Sequence, residues 1–411
     1  MNVPDHRRIG RQLKIFATDE ACGAGLPLWL PAGAVVRSEL EQFIVDLERR
    51  HGYSHVYTPM LGKRELFQRS GHRAHYAEDM YPPMAVGGDQ VLLRPMNCPH
   101  HILVFASEPR SLRDLPLRLA ELGTMFRDER SGVVGGLSRV RQMTLNDGHV
   151  FCAAEQVEAE IVDIVGMVGQ AYRALDIPPP ALRLSLGGEG SKYVDNPEMW
   201  SRSEAMMRSA LAHLGAEFVE ARGEAAFYGP KIDLQVTDPQ GREETLSTIQ
   251  VDFHMPECFD LTFARGEARE LPVMVHRSIV STMERMVAHL LEAHDGSLPV
   301  WLAPVQAVVL PVSPAAVDAA VRLKDDLRRA GVRAHLDDRD ATLAARVRDA
   351  QKARAPYLAV VGDREAAAGT VSVRLRGSRQ LHEMQVKEFV DLVEKVKTSR
   401  TASPLAALPV A

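Results

Sequence analysis

The stretch FRDERSGVVGGLSRVRQMTLNDGHVFC, residues 126–152, decides how the rest of the chain is read. It carries arginines at 127, 130, 139 and 141, acids at 128, 129 and 147, and glycines at 132, 135 and 136 between two apolar-edged arms. That pattern predicts two strands joined by a long loop, with Arg127 and Arg141 on backbones that can face one cleft. Guanidinium groups grip phosphate or carboxylate oxygens in pairs, and a neighbouring acid accepts from a base amino group or a hydroxyl. Such a cleft suits a polyphosphate; a salt-bridged surface hairpin is the other reading of the same residues.

Around this stretch, 411 residues with 45% hydrophobic content are enough for two or three packed domains. The net charge of -5 is uneven, because residues 301–411 carry 18 Lys/Arg against 13 Asp/Glu. A C-terminal module facing an anionic partner fits that imbalance. Cys22, Cys98, Cys152 and Cys258 lie far apart with no CxxC spacing, which argues against a disulfide framework and fits a reducing cytoplasm. The N-terminus MNVPDHRRIGRQLKIF has no apolar core of signal-peptide length, and no 18 apolar residues run together, so neither export nor a membrane span is indicated.

Upstream, DHRRIGRQLKIF is amphipathic enough for a first helix. Leu40, Phe43, Ile44 and Leu47 recur at helical spacing between Arg37 and Arg50, and Val56–Tyr57 reads as a strand ended by Pro59. Downstream, IVSTMERMVAHLL predicts a helix burying Ile279, Met283, Met286 and Val287, with Arg285 as an unexpected charge or a snorkelling surface arginine. From Pro299 to Lys397, apolar strands alternate with helices, which implies a small α/β sheet.

The helix and strand closing on proline resemble motif 1 of the class II aminoacyl-tRNA synthetases. RPMNCPHH, LPLRLAELGTMFRDE, NDGHVFC, AFYGPKID, STIQVDF and VMVHRSIVSTMERM, in that order, resemble the catalytic domain of the threonyl-tRNA synthetase family over roughly residues 5–397. The resemblance implies an α+β class II catalytic domain, an antiparallel sheet with helices, over residues 1–298. A small α/β anticodon-binding domain over 299–398 and a disordered tail over 399–411 would follow. Family members usually carry N-terminal domains, including an editing domain; this sequence reads as a short form that begins at the catalytic domain.

The implied activity is that of a threonine–tRNA ligase: L-threonine and ATP with Mg2+ give threonyl-adenylate, then threonine passes to the 3′ end of tRNA(Thr). A cytoplasmic homodimer joined through motif 1 is implied as well. Arg127 would meet the α-phosphate and the substrate carboxylate, Glu129 the adenine amino group and Arg285 the γ-phosphate, with Arg139, Arg141 and Gln250 also on ATP. Cys98, His149 and His276 would hold one zinc ion per subunit, an assignment the spacing alone does not reveal, since Cys98, His100 and His101 also make a plausible local cluster. Asp147, Tyr228 and His101 would stand near the substrate, His72 near the terminal ribose hydroxyl, and Lys231 near phosphate or the tRNA end. Asp340, Glu365 and Arg374 match anticodon-reading positions.

Several positions depart from the family's commoner residues: His100, Leu145, Asn146, Glu244, Thr245, Ser281, where a glycine is frequent, and Asp340, where an asparagine is expected. Leu145, Thr245 and Asp340, with the missing editing domain, motivate one alternative, and retention of Arg127, Glu129, Arg285 and the three metal-ligand candidates argues against another. The first is a duplicated or pathway-associated enzyme, inhibitor-resistant or loading a non-tRNA acceptor; the second is a catalytically dead RNA-binding paralogue.

Overall fold

The computed structural model describes residues 4–130, 132–190 and 192–401. The first part of the chain runs through α1 (His6–Gln12), α2 (Pro31–Arg50), β1 (Ser54–His55), α3 (Cys98–Ala106), β2 (Leu117–Phe126) and β3 (Gln142–Cys152). It continues with α4 (Val157–Leu175), β4 (Ala181–Leu186), α5 (Pro197–His213), β5 (Phe218–Arg222), β6 (Lys231–Thr237), β7 (Glu243–Asp252), β8 (Val273–Ser278) and α6 (Met283–Ala293). The strands form one eight-stranded sheet in the order β5-β4-β6-β7-β8-β3-β2-β1. Its pairs are antiparallel except at the two edges, β4 with β5 and β1 with β2.

One face of this sheet buries Val150, Ile232, Ile249, Val251 and Val275 against Ile161, Ile164 and Val168 of α4 and Met286, Val287 and Leu290 of α6. Alternation along the strands leaves the other face for polar side chains, and the cleft opens there. The expected antiparallel sheet with helices is what forms.

A second sheet follows, built from β9 (Ala307–Pro311), α7 (Val317–Arg329), β10 (Ala334–Leu336), α8 (Leu343–Lys352), β11 (Tyr357–Val361), α9 (Asp363–Ala368), β12 (Thr370–Leu375), β13 (Leu381–Gln385) and α10 (Val386–Thr398). Its order is β10-β9-β11-β12-β13, parallel across the first three strands and antiparallel across the last two. Trp301 and Leu302, just past residue 298, still belong to the core of the first domain. Arg333 ion-pairs with Glu39 of α2, and Arg400 pairs with Asp46 of the same helix at 2.8 Å while lying over the rings of Phe43 and Trp301. Residues 399–401 of the expected disordered tail are thus held; residues 402–411 lie outside the described residues.

Several expected boundaries move. The motif 1 helix starts at Pro31, six residues before Arg37, because proline suits a first helical turn whose N–H groups lack partners anyway. Its strand is Ser54–His55 rather than Val56–Tyr57: Val56 still donates to the Ala120 carbonyl at 3.0 Å, but Tyr57 has left the sheet and is 96% exposed. The predicted hairpin is real, yet its first arm reaches back to Leu117 and the loop is 127–141, closed by Arg127 N–H on the Arg141 carbonyl at 2.9 Å. The motif 3 helix starts at Met283, since Ser281 adopts a left-handed conformation (φ 57°) and Thr282 caps the Arg285 amide.

Four of these elements are tied by one buried charge cluster. Arg277 of β8 lies 2.7 Å from the Glu48 carboxylate of α2, whose other oxygen meets His55 at 2.9 Å. Asn146 of β3 donates to Glu48 at 2.7 Å and accepts the Ile279 amide at 2.9 Å. Room for the guanidinium exists because its cross-strand partner is Gly148; a Cβ there would fall 2.2 Å from Arg277 Cζ. Removing one partner of a fully buried pair strands the other charge. Glu48→Ala should therefore lower unfolding stability by about 3–5 kcal/mol in denaturant titrations, whereas Lys387→Ala, which breaks an exposed pair with Asp391, should leave the midpoint where it was.

Candidate active site

The polar face of the large sheet carries a cleft of about 750 Å³. Its walls include Arg127, Glu129, Ser138 and Arg139 from the hairpin loop, Lys231 and Gln250 from β6 and β7, and Arg285 from α6. The long loop works because β2 and β3 pair over ten residues and so fix both of its ends. Arg127 Nε is buried without a hydrogen-bond partner among the described residues, a donor left for an anion. Glu129 is ion-paired with Arg139 at 2.7 Å. Arg285 donates to the Ser138 carbonyl at 3.3 Å, and burial together with the neighbouring Arg127 and Arg139 pulls its pKa below the usual arginine range. Such crowded cations favour an anion between them.

Arg141, expected on ATP, does not line the cleft. Its guanidinium donates to the Glu129 carbonyl at 2.8 and 2.9 Å and reaches toward the Ala24 carbonyl, so it braces the loop. Backbone carbonyls beside it satisfy the fork before any ligand could. Ser281, by contrast, is on the wall, and its φ of 57° explains why a glycine suits this place.

At the inner end of the cleft Cys98, His149 and His276 bring their ligand atoms within 4.8 Å of one another, all three buried. Cys98 opens α3, while the histidines face each other across β3 and β8, a pairing that no sequence spacing could show. Carboxylates fix the ring protons. Asp252 takes the His276 Nε2 proton at 2.9 Å, leaving Nδ1 as a lone pair. On the other side Glu121 takes His101 Nε2–H at 3.2 Å, and His101 Nδ1 then accepts from His149 Nδ1 at 2.8 Å, leaving His149 Nε2 as a lone pair. The two lone pairs confront each other at 3.1 Å beside the Cys98 thiol. A soft divalent cation resolves that conflict, so the donor set fits a zinc ion. Burial, reinforced by Asp147 and Asp252, pushes the Cys98 thiol up, and burial holds His149 far below the usual imidazole range.

Asp147 and Tyr228 line the same end. Burial raises the Asp147 carboxyl. The Tyr228 ring stacks on His276 with centroids 4.8 Å apart, and its hydroxyl makes a short hydrogen bond to Gln250. Lys231 is held by Asp233 at 2.6 Å. His101, expected beside the substrate, is fully buried behind His149 and is not on the wall; it orients that ring instead. His72 is also buried, so it too misses the wall, with Nδ1 bonded to Ser70 Oγ at 2.8 Å. Ser70 donates onward to the Phe67 carbonyl, which leaves His72 Nε2 as a lone pair with no partner among the described residues.

Two supporting carboxylates were not foreseen: Asp252, two residues after Gln250, and Glu121, which also pairs with buried Arg94 at 3.0 Å. An acid inside the apolar strand LPLRLAELG was the available signal for Glu121. In the second domain Glu365 accepts from Ser372 at 2.8 Å, and strand alternation sets Ser372 and Arg374 on one face of β12. Asp340 stands apart in the exposed turn before α8.

Comparison with known proteins shows the family. The tRNA synthetase class II core domain (G, H, P, S and T) matches residues 85–294, and the anticodon binding domain matches residues 306–396. A threonine–tRNA ligase of Oceanobacillus iheyensis is 47% identical over 395 residues, 95% of this chain and 61% of its own. Threonine–tRNA ligase 1 of Bacillus subtilis is 47% identical over 390 residues, 94% of this chain and 61% of its own. The chain thus spans about three fifths of the length of these curated relatives. The crystal structure of the RNA binding domain of threonyl-tRNA synthetase from Cryptosporidium parvum Iowa II superposes with a TM-score of 0.91 at 33% identity, covering 97% of this chain and 99% of that one. A prolyl-tRNA synthetase from Giardia lamblia shares the fold, with a TM-score of 0.77 at 17% identity.

Burial lowers the pKa of His72 from 6.5 to about 3, helped by His276, His75 and Arg127. Below pH 6.5 the unfolded chain takes up a proton at this side chain and the folded chain does not, so unfolding gains about 1.4 kcal/mol per pH unit until the lower value is reached. Stability measured between pH 6.5 and 5 should fall less steeply in His72→Asn than in the parent protein; parallel slopes would contradict the buried neutral ring.

Proposed function

Since the chain belongs to the class II aminoacyl-tRNA synthetases, we propose that it is a threonine–tRNA ligase. The observation that carries this reading is the presence in one cleft of three soft metal donors beside Asp147 and of three clustered arginines, Arg127, Arg139 and Arg285, with Arg127 Nε left without a partner among the described residues. ATP with Mg2+ would lie along Arg127, Arg139 and Arg285, its adenine amino group toward Glu129. A threonine carboxylate oxygen attacks the α-phosphorus, the new O–P bond forms, and the bond to pyrophosphate breaks. Arg127 carries the charge that builds on the α-phosphate oxygens, and its fixed place spares reorganisation at the moment of reaction.

Cys98, His149 and His276 would hold one zinc ion per subunit, which when bound supplies a Lewis-acid contact for the amino and hydroxyl groups of threonine. Asp147 accepts the same hydroxyl, so a valine-shaped competitor leaves a buried acid unpaired. In the second step the terminal ribose hydroxyl of tRNA(Thr) attacks the acyl carbon and AMP leaves. His72, whose Nε2 has no partner among the described residues, could take that hydroxyl's proton only once tRNA binding brought its buried ring to the wall. Gln250 and Tyr228 hold each other in line, and Lys231 offers its charge to phosphate or the tRNA end.

The second domain supports the tRNA partner through Glu365 and Arg374, with Asp340 as a third contact at a separate turn. A homodimer through motif 1 is supported by Tyr57, Met60 and Leu61, large apolar side chains that stay exposed just after α2 and β1. Among the described residues no helix is long and apolar enough to cross a membrane. A cytoplasmic location is part of the proposal.

Amino-acid-dependent ATP–pyrophosphate exchange across the twenty amino acids, with charging of tRNA(Thr) in parallel, tests the reading. Threonine should support exchange and charging. Serine, which keeps both polar groups and lacks one methyl, should be activated more weakly by about 10–200-fold, and valine hardly at all. Exchange without charging would move the reading to an enzyme loading another acceptor, and no exchange with any amino acid would end it. Cys98→Ser should lower zinc below one per subunit by elemental analysis and cut threonine-dependent exchange by about 100-fold or more, while MgATP still binds.

A further inference from the structure

One buried polar contact outside the cleft has no part in the chemistry above. His6, on the first turn of α1, lies behind the arginine-bearing loop. The Leu137 amide donates to His6 Nε2 at 3.2 Å, and Nδ1 meets Glu292 at the end of α6 at 2.7 Å. A backbone N–H can only donate, so Nε2 must carry the lone pair, and the ring proton sits on Nδ1, directed at the Glu292 carboxylate. The Glu292 carboxylate also takes the His6 amide at 3.0 Å. Asp5, His6 and Glu292 cluster tightly enough for a cation, but both ring nitrogens are already used within the protein.

The loop is built around this contact. Gly136 has φ 52°, and a Cβ there would fall 2.2 Å from His6 Nε2, so the backbone comes as close to the imidazole as a glycine allows. Leu137 is fully buried in the main core, and the next two residues are the cleft-lining Ser138 and Arg139. Ser138 offers the carbonyl that holds Arg285, and Arg139 is the partner of Glu129. We propose that His6 is a positioning residue for the nucleotide end of the cleft: by accepting the Leu137 amide from behind, it fixes the height of Ser138 and Arg139 and thereby sets the affinity for ATP. This inference rests on the ATP site proposed above.

The two nitrogens allow a test that anchoring of α1 alone would fail. Glutamine places its amide where Nε2 stands and can accept the Leu137 N–H; asparagine places its amide where Nδ1 stands and can only keep Glu292. His6→Asn should raise KM for ATP by about tenfold with KM for threonine unchanged, and the Leu137 amide should lose its protection in hydrogen exchange. His6→Gln should stay close to the parent protein in both. The reverse ranking, or loss of ATP and threonine affinity together with thermal stability in both variants, would overturn the inference. Direct calorimetric MgATP binding, run on the same proteins, separates this from the wider reading: absence of exchange with intact MgATP binding and the expected ranking would strike the ligase proposal alone. If neither variant folds, an unprotected Leu137 amide in the parent protein counts against the inference and a protected one, tightening further with MgATP, supports it.

Discussion

The pairing of Arg277 with Glu48 is the constraint on which the catalytic domain depends. A guanidinium shut away from water is tolerable only where a carboxylate and further polar groups surround it. Here that carboxylate comes from α2, and His55 and Asn146 complete its shell. The pair therefore cannot exist unless α2, the β1 edge, β3 and β8 are already in register. Because His276 precedes Arg277 and His149 follows Gly148, the same register brings the two imidazoles together edge to face. The two imidazoles inherit their alignment from a salt bridge on the other side of the strands.

Much of this was legible from residue patterns. The hairpin of 126–152, the α2 periodicity and the strand–helix alternation after residue 299 need only local chemistry, and each formed. What failed was of two kinds. Element ends moved where a single backbone feature decided them, as with Pro31 or the left-handed turn at Ser281. Side-chain direction was misjudged where a nearer partner existed: Arg141 found backbone carbonyls, and His101 found His149 and Glu121. The metal-type triad could come only from family resemblance, since nothing in a linear spacing says that residues on α3, β3 and β8 share one point. His6 gave no sign of itself, because one buried histidine reads like any other until its neighbours are known.

The cleft also shows how a crowd of buried charges stays folded. Its charges are provisionally matched: Glu129 by Arg139, Asp233 by Lys231, Arg285 by a backbone carbonyl. Each match is weaker than a phosphate contact and leaves donors to spare, as at Arg127. Ligand entry then exchanges partners instead of creating them, which keeps the cost of ordering small.

The attachments of the second domain to α2 have a mechanical meaning. Arg333 holds Glu39 and Arg400 holds Asp46, two turns apart on one side of a single helix, a separation of about 10 Å along its axis. A body tethered at one point swivels; tethered at two along a line, and joined to its neighbour by Trp301 as well, it keeps its bearing. The span from the face bearing Arg374 to the cleft is then a gauge of set length. Any long, bent polymer that touched both ends would have to match that length.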